Sequence, residues 1–141
     1  MIIIGIDPGV QTGVAVYDTK KKNFEELRTM KLHDAFELVL NYKSLIGMVR
    51  VEDARKRTGG FAAMDARQEK SGAAVREGVG SVKRDCTAWE DFLIAKGIPH
   101  EMVKPGRAKT KITGDFFRKL TGWAKKVSIH ARDAGMMVWG F

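Results

Sequence analysis

Four residues of this chain have the types and placement for joint chemistry: Asp7, Glu52, His130 and Asp133. Asp7 ends the apolar run that opens the sequence, and Glu52 ends a second run containing Met48, Val49 and Val51. His130 and Asp133 stand three apart, which puts them on one face of a helix. Carboxylates crowded together repel unless a cation neutralises them, and hard oxygen donors with open water positions suit Mg²⁺ or Mn²⁺. Two such ions about 3.5 to 4 Å apart activate a water and stabilise the leaving oxygen of a phosphodiester. Taken singly, each residue has an ordinary reading: Asp7 caps a turn, Glu52 or Asp53 joins a surface salt bridge, His130 packs in a core. Together, at two strand ends and on one helix face, they point to a metal site.

The elements that must position these groups follow from periodicity. Residues 2–7, 12–18 and about 25–32 read as strands, with Asp18 to Asn23 as a polar hairpin turn. Pro8 and Gly9 end the first strand, and a backbone without Cβ there lets a metal, phosphate or substrate approach. Residues 34–46 carry helical apolar spacing, and Gly47 is placed to end that helix. Met48 to Val51 form a fourth strand, and a polar, Gly-containing segment follows from Arg55 to Gly72. A long helix then carries Val75, Val79, Val82, Cys86, Trp89 and Leu93 at steps of four and three. That stripe suits a core, and heptad-like spacing also suits a subunit contact. Ile98 to Val103 is a fifth strand, Thr113 to Leu120 a short helix, and Ser128 caps a last helix from Ile129 to about Trp139.

This order predicts an α/β fold, a mixed five-stranded sheet flanked by helices, with right-handed crossovers joining the later strands. Ligands gather at the carboxyl ends of strands in such sheets. If the first and fourth strands are parallel neighbours, Asp7 and Glu52 meet there. Alternation points Asp53 away from Glu52 and leaves it outside the site.

At 141 residues the chain has the size of one domain, 1–141, and is too short for two sizeable lobes. The 25 Lys and Arg exceed the 17 Asp and Glu by 8, a charge balance that suits contact with phosphates. Residues 104–126 hold eight basic side chains (Lys104, Arg107, Lys109, Lys111, Arg118, Lys119, Lys125, Lys126) against Asp115 alone. The single cysteine, Cys86, makes no internal disulfide or metal cluster, which fits a reducing cytosol. No basic leader precedes the first strand and no apolar stretch approaches the roughly 18 residues of a membrane span. The expectation is a soluble cytoplasmic protein with no membrane partner.

The motif Gly5-Ile6-Asp7-Pro8-Gly9 with Thr12-Gly13, then Val51-Glu52, then His130-Ala131-Arg132-Asp133-Ala134 resembles the RuvC family of Holliday junction resolvases. The resemblance covers almost the whole chain. Gly-Ile-Asp-Pro-Gly also opens actin-like ATPases and sugar kinases; the His-x-x-Asp-Ala ending is the more specific part. Gly78 to Asp85 and Trp89 to Phe92 look most like phage-encoded branches of the family.

The resemblance implies a ribonuclease H-like fold and a homodimeric, Mg²⁺- or Mn²⁺-dependent endonuclease with two ions per active site. Such an enzyme nicks paired strands of four-way or other branched DNA in recombination and repair, in the host cytoplasm if phage-encoded, and needs no nucleotide cofactor. It further implies that Asp7, Glu52 and Asp133 hold metal, with His130 as fourth ligand or base. Phe61, the one aromatic between Tyr42 and Trp89, corresponds to a residue that stacks near the junction's exchange point, or else anchors its loop. Lys109 or Lys111 resembles the family's catalytic-loop lysine. Lys104, Arg107, Lys109 and Lys111 follow the fifth strand at the same sheet edge as the acids, where they can hold phosphates. Arg55, Lys56 and Arg57 directly follow Glu52 and can grip the DNA backbone. Lys83 and Arg84 lie on the long helix as DNA contacts or plain surface, and Lys20 to Lys22 read as a solvated turn.

Three other readings remain open at this point. An actin-like ATP-binding domain needs a second lobe and phosphate loop that 141 residues do not hold. A non-catalytic branched-DNA binder would keep the fold without the chemistry, yet all four candidate ligands are present. A ribonuclease H or other nuclease of the family acting on a different substrate, or on flaps, Y structures or replication forks more broadly, is equally compatible with the sequence.

Overall fold

The computed structural model describes residues 1–57, 69–106 and 112–141, with side chains from residue 77 onward in the second stretch. Its strands are β1 (Ile2–Asp7), β2 (Thr12–Asp18), β3 (Asn23–Met30), β4 (Ile46–Glu52) and β5 (His100–Val103). Its α-helices are α1 (Leu32–Tyr42), α2 (Glu69–Ala95), α3 (Gly114–Thr121) and α4 (Ile129–Met136). The strands form one mixed sheet in the order β3-β2-β1-β4-β5. β1 runs antiparallel to β2 and parallel to β4, and β4 runs parallel to β5. This is the sheet expected from the sequence, with the first and fourth strands side by side.

Strand alternation divides the core between two faces. On one face Ile2, Ile4 and Ile6 of β1, Val14 and Val16 of β2, and Val49 and Val51 of β4 meet α1 and α2 through Ala35, Leu38, Val39, Trp89 and Leu93. On the other face Ile3, Ala15, Tyr17, Phe24 and Leu27 pack with Phe117 of α3 and with Ala134 and Val138 around α4. Tyr17, Phe24, Phe117, Trp123 and Trp139 form an aromatic cluster there, with ring centroids 5.2 to 6.5 Å apart. Because Ile3 and Gly5 face α4, so does Asp7; by the same alternation Met48, Arg50 and Glu52 share that face on β4.

The helix α4 can approach the sheet closely because two strand positions carry no side chain. A Cβ on Gly13 would collide with the His130 carbonyl, and one on Gly5 with the Ala134 carbonyl. Ala131, Ala134 and Gly135 supply the matching small residues on the helix. Ser128 caps α4 as expected, its Oγ accepting from the Ala131 N–H at 3.1 Å.

Several boundaries depart from the sequence reading. Gly47 does not end α1: that helix stops at Tyr42, a 3₁₀ turn takes Lys43–Leu45, and Gly47 lies inside β4. Its missing Cβ leaves room for the Met1 side chain, a tertiary reason invisible to local spacing. β3 begins at Asn23, because Asp18 Oδ1 accepts the Lys20 and Lys21 N–H groups at 2.8 and 3.2 Å and tightens the hairpin. β5 is shorter than expected, α2 begins at Glu69, and α4 ends at Met136. Among the described residues of the α2 stripe, Cys86, Trp89 and Leu93 are fully buried and Val79 and Val82 are half-buried, while the side chain of Val75 lies outside the described residues. Among the described residues, no helix is long and apolar enough to cross a membrane.

Candidate metal centre

The parallel register of β1 and β4 pairs Ile6 with Val51, so the next residues, Asp7 and Glu52, stand side by side at the carboxyl ends of their strands. α4 crosses above them on its two glycine contacts and brings Asp133 to the same place. One carboxylate oxygen from each of Asp7, Glu52 and Asp133 lies within 4.8 Å of the others, and all three residues are half-buried. His130 adjoins this group through Asp7, its Nδ1 lying 2.9 Å from Asp7 Oδ2, with the imidazole side chain 51% exposed. Residues separated by more than a hundred positions in sequence are thus joined by one hydrogen bond.

Three half-buried carboxylates in contact range repel one another when ionised, and a divalent cation with hard-donor preference relieves that repulsion. The donor set is all oxygen, with partial access to solvent for further water ligands. It fits Mg²⁺ or Mn²⁺ rather than a thiol- or imidazole-rich zinc site.

Asp53 lies elsewhere, as alternation predicts: it is 1% exposed and faces α2. Its carboxylate accepts the Arg55 N–H at 3.0 Å, Nε at 2.8 Å and Nη2 at 2.9 Å. The Arg55 guanidinium donates onward to Glu90 Oε1 and Thr87 Oγ1, each at 3.2 Å. This fork of hydrogen bonds holds the Asp53 carboxyl below its usual pKa and pushes that of Arg55 up. The sequence reading grouped Arg55 with Lys56 and Arg57 as grips for DNA; in the structure its half-buried guanidinium is engaged by Asp53, Glu90 and Thr87. Nothing in local spacing announces this, because Glu90 is 35 residues away. Cys86, packed beside the same corner, has its thiol pKa raised by burial, and its Sγ lies 3.6 Å from the Glu52 carbonyl oxygen.

The other described basic candidates follow β4, follow β5 or lie on α2. Lys56 donates from Nζ to the Met102 carbonyl at 2.6 Å, and Arg57 is exposed. Lys104 is exposed directly after β5, whose Val103 pairs with Glu52. Lys83 and Arg84 are exposed on α2. Phe61, Arg107, Lys109 and Lys111 lie outside the described residues.

No protein-family model and no curated protein matches the chain. Among solved structures, T. thermophilus RuvC in complex with a Holliday junction substrate matches with a TM-score of 0.57 and 17% identity, covering 95% of this chain and 87% of that one. The structural likeness extends over nearly the full length. The chain therefore has the ribonuclease H-like fold of RuvC, a mixed five-stranded sheet between helices, with an acidic cluster at the carboxyl ends of two adjacent strands.

Proposed function

We propose that this protein is a phage-type, metal-dependent endonuclease that resolves four-way DNA junctions, acting as a homodimer that nicks paired strands. One observation carries the reading: in the fold of a RuvC nuclease, three carboxylates from β1, β4 and α4 converge within 4.8 Å at one sheet edge. The positive charge of the chain and the exposed Lys104, Lys83 and Arg84 support a phosphate-bearing substrate.

Asp7, Glu52 and Asp133 would hold Mg²⁺ or Mn²⁺, each donating carboxylate oxygen. When bound, a pair of such ions supplies an activated water and neutralises charge on the leaving oxygen of a phosphodiester. His130 contributes a proton acceptor beside them. A carboxylate at Asp7 only accepts hydrogen bonds, so a proton on Nδ1 would serve that contact and leave Nε2 as the ring nitrogen turned away from Asp7. Lys104, together with Arg107, Lys109 and Lys111 from the same stretch of sequence, would draw the scissile phosphate to the acids and offset charge in the transition state. The partial exposure of the cluster suits a polymeric substrate that lies across a surface. Each protomer would bring this acidic cluster, and two copies would supply the two cuts that separate a four-way junction.

The test is nick mapping on a labelled synthetic four-way junction, a flap and a linear duplex with Mg²⁺ or Mn²⁺. Symmetric paired nicks on the junction alone are expected. Equal cutting of flaps would replace the resolvase assignment with a broader branched-DNA nuclease, and binding without any cleavage would leave a non-catalytic junction binder.

A further inference from the structure

We propose that Arg55 is a positioning residue, held between Asp53 and Glu90, that sets the orientation of Glu52 and ties its strand end to helix α2. The inference rests on the metal-centre reading above and names what aims one of its three carboxylates.

Asp53 is an almost fully buried carboxylate that no step of the proposed chemistry uses. A buried ion pair is a weak device for stability, since well-packed apolar residues of similar volume do as well or better. Its location suggests a different role. Asp53 follows Glu52 immediately, and its backbone N–H donates to the Val103 carbonyl at 2.7 Å, extending the β4–β5 pairing one residue beyond Glu52. Its side chain fixes the 3₁₀ turn Ala54–Lys56 through the Arg55 N–H. The Lys56 N–H closes the same turn on the Asp53 carbonyl at 3.0 Å. The planar guanidinium of Arg55 grips both Asp53 oxygens and reaches α2 at Thr87 and Glu90, while Cys86 on α2 contacts the Glu52 carbonyl. The strand end bearing Glu52 is therefore held from β5, from the turn beyond it and from α2. A one-residue slip there would turn Glu52 to the opposite face of the sheet. A lysine at position 55 retains the charge but cannot reproduce the fork.

The experiment measures Mn²⁺ binding to the DNA-free protein by calorimetry, with melting temperature recorded on the same samples. Arg55→Lys should weaken Mn²⁺ binding by about ten-fold, within the range typical of groups that orient metal ligands. The double variant Asp53→Asn/Arg55→Met, which removes both charges together, should weaken it by a similar factor while melting at or above the wild-type temperature. Glu90→Gln, which leaves the Asp53–Arg55 fork in place, should give a smaller loss. Wild-type affinity in Arg55→Lys and in the double variant overturns the positioning role, and wild-type affinity in Glu90→Gln overturns the tie to α2. Absence of Mn²⁺ binding by the wild-type protein itself would overturn the metal centre and this inference with it, an outcome distinct from either.

Discussion

Replacing Gly13 by alanine probes the contact that brings α4 to the strand ends. The added Cβ would sit inside the van der Waals envelope of the His130 carbonyl and of the Ala131 nitrogen, both backbone atoms that no rotamer change can move aside. With ordinary separations of about 3.5 Å, the first turn of α4 must retreat by roughly 1.4 Å. Overpacking of this kind costs about 1–3 kcal/mol. At about 3–5 °C per kcal/mol for a chain of this size, the melting temperature should fall by roughly 3–15 °C. The retreat carries His130 and Asp133 with it, beyond the roughly 0.5 Å within which a binding constellation tolerates displacement. Mn²⁺ affinity should therefore drop, and strand cleavage by about a hundred-fold. Gly78→Ala is the matched control: a Cβ there meets nothing within 4 Å on an exposed turn of α2. It should gain about 0.5–1 kcal/mol from helix propensity and leave metal binding unchanged. Thermal denaturation and Mn²⁺ calorimetry on both variants decide the matter. A Gly13→Ala protein with wild-type melting and wild-type Mn²⁺ affinity would refute the close seating of α4 on β2.

Three further outcomes follow from the same geometry. The folded Asp53 carboxyl has a lowered pKa, so the stability it supplies is present above its unfolded value near about 4 and is lost as pH falls through the folded value; denaturation midpoints from pH 7 to 3 should show a decline below about pH 4 that Asp53→Asn flattens. Trp89 is fully buried against Phe36 and Phe92, and Trp89→Ala should cost about 3–5 kcal/mol by denaturant titration. Junction binding measured against salt should lose about one unit of log–log slope for each phosphate contact removed by Lys104→Ala or by Lys83→Ala/Arg84→Ala. Substituting Lys20, a solvated turn residue, should leave the slope as it was.

Much of the acidic cluster was legible in the sequence because its ingredients are local. Asp7 and Glu52 each close an apolar run, and a three-residue helical step keeps His130 and Asp133 on one face. Their meeting needed only that β1 and β4 be parallel neighbours, which an α/β order favours. Strand alternation alone kept Asp53 out of the cluster. The roles of Gly5 and Gly13 were not legible: the Gly-rich opening suggested clearance for a ligand, whereas these two positions clear the backbone of α4, an element more than a hundred residues away. The partners of Arg55 were hidden for the same reason. In sequence it is one of three cations after Glu52, and only folding brings Glu90 and Thr87 to its guanidinium. Gly47, a plausible helix stop, lies in β4, where the Met1 side chain occupies the space beside it.

The central claim is that Asp7 serves metal-dependent cleavage of junction DNA. Its most direct test is single-turnover cleavage of a labelled four-way junction in Mg²⁺ by the wild-type protein and by Asp7→Asn, with junction affinity measured in parallel without metal. The account predicts paired nicks by the wild type, their loss in Asp7→Asn, and equal binding by both. Equal cleavage by the two proteins, or none by the wild type in Mg²⁺ or Mn²⁺, would contradict it.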